Sequence, residues 1–395
     1  MNSTLKVVWL CMFVNKEFKD RFNTPDLKNW GVWITHLCNL FNDVHEVDLH
    51  VVAPNIYTNT NETITSGRIT YHFYKHQHDV PNVTSKPSVN PLNLNMINVD
   101  VVNIIRRINP DIIHLHGNEK STYSSPALLL NKEFPSVMTV QRFNFMATGE
   151  SVEYKFVLKF EESVLREFKH FGVRTLEMEQ IIKERNPKAK LYFHNYPVAW
   201  PTTIKTHQEE ETFDVVFFAR ITRDKGIFDL IESATQIVKI RPDYSVRLIG
   251  PIRPNEKDII FDRIRQAGLE KHIQYIGNIE DQQKLHEEAA KARICVLPTH
   301  ADIVPGTIIE SMLMKLPVIS YAVGGMPQLN EPGLERITLI EKGDITGLTE
   351  ATLHLLESNK KRHQLAEDAY NFATEYYSDK KVIADLLTMY ENVLK

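Results

Sequence analysis

The chain has 395 residues, 43% of them apolar and 24% charged, the composition of an ordinary globular protein with room for two domains. Residues 1–200 hold 22 Lys and Arg against 20 Asp and Glu, and residues 201–395 hold 24 against 30, a tilt too small to argue for a nucleic-acid partner. Cys11, Cys38 and Cys295 are far apart and follow no zinc or CxxC spacing, which fits a reducing compartment without disulfides.

In chain order, the apolar run 5–14 is broken by Lys6 and lacks a small-residue cleavage site. It reads as a first strand and not as a signal peptide. No run approaches the ~20 apolar residues that a membrane span needs. Strands are predicted over 5–13, 46–53, 69–75, 111–116 and 136–140, with helices over 26–41 and 98–108 between them. Such alternation predicts a parallel sheet covered on both faces. Outside its one strand, the Asn- and Pro-rich stretch 59–95 predicts long surface loops. Asn61 and Asn82 open Asn-x-Thr triplets that read as chance matches.

Residues 153–170 predict an amphipathic helix, with Lys155, Lys159, Arg166, Lys169 and His170 amid Phe156, Phe160, Val164 and Phe168. Packing on the core and lying on a membrane surface are its two readings. Pro197, Pro201 and the charge run 209–211 mark a boundary within 195–212. A second set of strands follows at 213–219, 245–249, 273–276, 294–297 and 318–320, again with helices between, and a last helix over 379–394. The predicted domains are 1–200 and 201–378, with 379–395 as a closing helix.

The densest chemistry lies between His300 and Met312, where Asp302 and Glu310 flank Pro305, Gly306 and Thr307. Glu310 stands inside an apolar run (Ile308, Ile309, Met312, Leu313), and a carboxylate there costs free energy unless something binds it. Pro305 suits the first position of a helix. The N–H groups of Gly306 and Thr307 would then point out of the helix start, a seat for a phosphate. The alternative is that both acids merely favour the helix dipole. Arg220 follows the strand 213–219, and Lys225 stands at the start of the next helix; together they suit a diphosphate clamp or a solvated basic loop. His114 and His116 share one face of the strand 111–116, with His116 near its carboxyl end. Gly31 lies near the first helix, where it allows close phosphate approach or eases packing of Trp30 and Trp33. No GxGxxG, GxxxxGK[ST] or HExxH motif occurs, and no convincing acid pair for a metal.

These residues resemble family 4 of the glycosyltransferases. The likeness is dense over 213–331: the run from Phe217 to Gly226, then Gly277, the Val296-Leu297-Pro298-Thr299 run, Asp302 to Glu310, and Val323-Gly324-Gly325-Met326-Pro327. It is thinner in the first half, where Pro110 to Gly117 matches a strand-end histidine segment. The resemblance implies an α/β GT-B fold: two Rossmann-like doubly wound domains facing a cleft, the last helix returning to the first domain. It implies a retaining, metal-independent transferase that moves a sugar from a nucleoside diphosphate to a glycan or lipid-linked acceptor in cell-surface polysaccharide synthesis. It assigns catalysis to His116, Arg220, Lys225 and Asp302. Donor binding falls to Gly31, Arg220, Lys225, Asp302, Pro305, Gly306, Thr307 and Glu310. No cofactor, metal or nucleic acid enters; the setting is the cytoplasm, with peripheral contact to the inner membrane face as an option. Asp302 departs from the usual Glu, and Gln328 stands where a Glu often follows. The alternatives are a nucleotide-sugar 2-epimerase of the same fold and a non-catalytic partner subunit.

Overall fold

The computed structural model describes residues 4–24, 31–55, 60–75, 99–117, 121–146, 152–205 and 211–395. The expected helix starts at 26 and 98, Trp30, Asn82, much of 59–95 and two of the charges at 209–211 lie outside these residues. The chain divides into two compact units, residues 1–197 with 379–395 and residues 198–378.

The first unit runs β1 (Leu5–Leu10), α1 (Lys16–Phe22), α2 (Val32–Phe41), β2 (Val47–Asn55), β3 (Glu62–Ser66), β4 (Ile69–Lys75), α3 (Val99–Ile108), β5 (Ile112–His116), α4 (Ser121–Leu130), β6 (Ser136–Thr139), α5 (Val152–Glu167), β7 (His170–Val173), α6 (Leu176–Arg185) and β8 (Lys190–Phe193). Its sheet has the order β3-β4-β2-β1-β5-β6-β7-β8. All pairings are parallel except β3 on β4. The central strands are buried, β5 and β6 over their whole length, as strands covered on both faces are, and they carry His114, His116, Ser136 and Thr139 among their apolar residues.

Two expectations need correction. Part of the stretch predicted as loops forms β3, a polar edge strand whose Thr63 and Thr65 face solvent while Ile64 is half-buried. The helix predicted over 153–170 ends at Glu167, and His170 opens β7. The buried run His170–Val173 pairs with β6 and β8, and this pairing overrides the helical pattern.

The second unit runs β9 (Phe213–Phe218), α7 (Ile227–Ile237), β10 (Val246–Ile249), α8 (Pro254–Gln266), β11 (Ile273–Gly277), α9 (Gln282–Ala290), β12 (Ala292–Leu297), α10 (Gly306–Leu313), β13 (Val318–Tyr321), β14 (Thr338–Ile340), α11 (Ile345–Glu357) and α12 (Asn359–Tyr376). Its parallel sheet has the order β11-β10-β9-β12-β13-β14. The last helix, α13 (Asp379–Leu394), returns to the first unit. It buries Val382, Leu386, Met389, Tyr390 and Val393 in the core that holds Trp9, Leu37 and Phe41. Cys11, Cys38 and Cys295 are buried and unbridged.

Among the parallel strands of each sheet the order reverses once, between β1 and β5 in the first and between β9 and β12 in the second. Beyond the carboxyl ends of such a strand pair a crevice opens, because the crossover helices leave to opposite faces.

Candidate active site

In the second unit the switch point gathers the candidate residues. Arg220 lies two residues past β9, exposed, and makes no ion pair or side-chain hydrogen bond among the described residues. Lys225 ends a 3₁₀ turn, Arg223–Lys225, instead of opening the next helix as expected, because Gly226 reverses the chain before α7. The carbonyl of Asp224 accepts hydrogen bonds from His300 N at 2.8 Å and Thr299 Oγ1 at 3.3 Å. These pin the loop after β9 to the loop after β12. Lys225 Nζ thereby reaches Asp302 and pairs with its carboxylate. An ammonium has three N–H donors, so this pairing leaves capacity for a phosphate oxygen. Burial pushes the Asp224 carboxyl up, but the Thr222 hydroxyl, a backbone N–H and the charges of Arg220 and Lys225 outweigh it and hold the group below its ordinary value.

The Asp302 segment is braced from behind. Gly325 N donates to Ile303 O at 2.6 Å, and Gly324 adopts φ +55° against the Asp302 carbonyl. A Cβ on Gly324 would lie 1.8 Å from that oxygen, so only glycine lets the two loops meet. Helix α10 begins at Gly306; Pro305, expected as its first residue, is the N-cap, with ψ 134°. The cap accepts no side-chain hydrogen bond. Gly306 is exposed, and neither its N–H nor that of Thr307 has an acceptor among the described residues. The Thr307 hydroxyl is engaged, donating to Phe218 O at 2.9 Å and tying the helix start to the end of β9.

Glu310 is not left unsatisfied in its apolar run, contrary to the expectation. His286 and Gln282 of α9, on the same helix face one turn apart, place Nε2 atoms 3.2 and 3.1 Å from Glu310 Oε2. The His286 side chain is 1% exposed and that of Glu310 15%. Sequence reasoning missed His286 and Gln282; their i, i+4 spacing just after the N-cap Asp281 was the available signal. It also missed Asp229, whose Oδ2 holds His300 Nε2 at 2.9 Å and the Tyr321 hydroxyl at 2.6 Å.

In the first unit, His116 ends β5 beside β1, at that unit's own switch point. It is 1% exposed, and neither ring nitrogen has a hydrogen-bond partner among the described residues. Burial and then the nearby His194 keep it well below the usual imidazole value, so it is neutral. Its ring is packed by His114 at 3.7 Å, Trp9 at 5.0 Å and Trp33 at 5.6 Å between centroids. Gly31, the N-cap of α2, takes φ +63°, and an added Cβ would lie 2.7 Å from Met12 O. Packing against the chain after β1 is therefore enough to require glycine there.

Among the described residues no helix is long and apolar enough to cross a membrane. The family model for glycosyl transferases group 1 matches residues 201–372. The Staphylococcus aureus capsular polysaccharide biosynthesis glycosyltransferase CapM is 24% identical over 189 residues, 47% of each chain. The chain spans about half the length of the first curated relatives it matches. Sucrose-phosphate synthase of Thermosynechococcus elongatus superimposes with a TM-score of 0.76 at 15% identity, covering 98% of this chain and 99% of that one. Anabaena HepE, solved in complex with UDP, superimposes with a TM-score of 0.67 at 16% identity, covering 97% and 100%. The chain has the GT-B fold of these structures, and the glycosyl transferases group 1 model matches most of its second unit.

Proposed function

We propose that the chain is a retaining glycosyltransferase that moves a sugar from a nucleoside diphosphate to a glycan or lipid-linked acceptor in the assembly of a cell-surface polysaccharide. The observation that carries this reading is the second unit's switch point. There an exposed guanidinium, an ammonium–carboxylate pair and an open helix start converge on one crevice. Such a set suits a diphosphate flanked by hydroxyl-rich groups. The group 1 family match and the likeness to CapM support the reaction class, and the UDP bound by HepE supports the donor class.

In this scheme the donor's diphosphate lies against Arg220, Lys225 and the N–H groups of Gly306 and Thr307. Glu310 accepts from the ribose hydroxyls, and Asp302 from the donor sugar. Pro305, lacking an N–H, keeps the helix entrance open. When the anomeric carbon–oxygen bond breaks, charge gathers on the departing phosphate, where the two cations and the helix start stabilise it. That phosphate takes the acceptor hydroxyl's proton, so no protein nucleophile is needed. His116 serves the acceptor. The reaction runs without a metal, in the cytoplasm, with the acceptor end of the protein against the inner membrane face.

A thermal-shift panel of UDP-, GDP- and ADP-sugars tests the reading. One class at a hundred times its dissociation constant adds about 2.7 kcal/mol of stability, a readily visible rise in melting temperature. A panel in which no sugar nucleotide moves the melt would overturn it.

A further inference from the structure

Beneath His116 runs a buried hydrogen-bond chain through five segments of the first unit. Trp9 Nε1 donates to the Tyr390 hydroxyl at 2.8 Å, and that hydroxyl lies 2.8 Å from His114 Nδ1. His114 Nε2 is 2.7 Å from Thr139 Oγ1, which is 2.7 Å from His194 Nε2. His194 Nδ1 is 3.2 Å from the Asn195 carbonyl. Trp9, Tyr390, His114 and Thr139 are fully buried.

The far end sets the direction of every proton in the chain. A carbonyl only accepts, so the His194 proton is on Nδ1 and its Nε2 accepts from Thr139. The one hydroxyl proton of Thr139 is thereby committed, and its oxygen accepts from His114 Nε2. The neutral His114 ring is then bare at Nδ1 and accepts from the Tyr390 O–H, whose oxygen accepts from the Trp9 indole N–H. A second proton on either ring would leave a hydroxyl proton of the chain without its acceptor.

Two neighbours show what the chain requires and what it supports. A Cβ on Gly172 of β7 would lie 2.3 Å from Thr139 Oγ1 and 2.5 Å from His194 Nε2, so the bond passes over β7 only because that residue has no side chain. His116 has no hydrogen bond among the described residues, and its ring leans on the His114 ring at 31°.

We propose that this chain is a positioning device for His116, with Thr139 as its centre and Tyr390 of the C-terminal helix as its anchor. It holds His114 in one tautomer and one place, and the His116 ring takes its orientation from that surface. The proposal rests on the reading of His116 as a residue that faces substrate.

The test is long-range 1H–15N spectroscopy of the histidine rings in the full-length chain at pH 7. We expect His114 protonated on Nε2 alone and His194 on Nδ1 alone; the opposite tautomer or an imidazolium at either ring overturns the proton order. Thr139→Val should scramble both tautomers and move the His116 ring signals, and Thr139→Ser should restore them. His116 signals unmoved by Thr139→Val overturn the positioning role. The wild-type spectra decide the chain even where Thr139→Val does not fold. With the sugar nucleotide that gives the largest thermal shift, Thr139→Val should lower kcat by up to ~100-fold with the donor KM unchanged, as a small misplacement at a reacting centre does. A silent His116→Ala would instead overturn the catalytic reading, whatever the spectra show.

Discussion

His286 Nε2 lies 3.2 Å from Glu310 Oε2, so a buried ring and not a ligand is the resting partner of the acid within the apolar face of α10. The pairing fixes the carboxylate's direction. The other oxygen, Oε1, would lie 3.7 Å from a Cβ on Gly306, near the open helix start.

Glu310→Ala should therefore weaken nucleotide binding more than folding. A hydrogen bond to a charged group is worth about 1.5–3 kcal/mol, and the affinity loss should fall in that range. Gln282 still reaches His286 at 3.0 Å, which limits the cost to stability. Nucleotide titration and thermal melting of the same preparation decide this. A variant that melts like wild type and binds equally well would remove Glu310 from the donor site.

Arg220→Ala and Lys225→Ala should each cost about 2.7–4 kcal/mol of transition-state stabilisation. Their effects on stability should differ. Arg220 is exposed and makes no ion pair or side-chain hydrogen bond among the described residues, only a charge interaction with Asp224, so its loss should change the melt little. Lys225→Ala leaves the Asp302 carboxylate without its ion partner and should lower the melting temperature. Turnover within a few-fold of wild type in both variants would reduce the loop to solvated charge.

The two strand histidines should separate cleanly. His116→Ala should lower turnover strongly and spare nucleotide affinity, since the proposed scheme draws that affinity from the second unit. His114→Ala removes a ring bonded at both nitrogens in the core and should cost about 3 kcal/mol or more of stability. Kinetics and urea melts on both variants check the assignment, and a catalytic loss confined to His114→Ala would reverse it.

Stability should fall on mild acidification. His194 is held at about 4, by burial first and by the Arg174 charge, against the opposing effect of its hydrogen bond to Asn195. Burial also keeps His114 and His116 well below the ordinary value. The unfolded rings take up protons near pH 6.5 and the folded ones do not. Their stabilisation is thus complete above about pH 6.5 and drains away below it; for His194 the loss runs down to about pH 4 and is on the order of 3 kcal/mol. Urea midpoints across this range measure it. A flat profile, or one unchanged by His194→Gln, would contradict the buried neutral rings.

Activity should persist in excess EDTA, because in the proposed scheme Arg220, Lys225 and the start of α10 meet the phosphate charge. Complete loss restored by manganese would overturn the proposed reaction scheme.

The alternation of apolar strands and amphipathic helices determined the two doubly wound units, because the 2.0 and 3.6 periods are local properties of the chain. So did the place of Arg220, Asp302 and Gly306, since each sits where a periodic segment stops. What lay beyond local reading were pairings made by distant segments. The pattern at 153–170 read as helix throughout, but only the neighbours β6 and β8 could claim His170 as a strand residue. Glu310 looked unsatisfied because His286, 24 positions earlier, meets it only after α9 and α10 pack. Nothing near Thr139 in the chain foretells that it joins His114 to His194, or that Tyr390, 276 residues from His114, closes that chain from the last helix. Hydrogen bonding of buried polar groups is a demand each residue carries by itself; which partner answers it is decided by the packing of the whole unit.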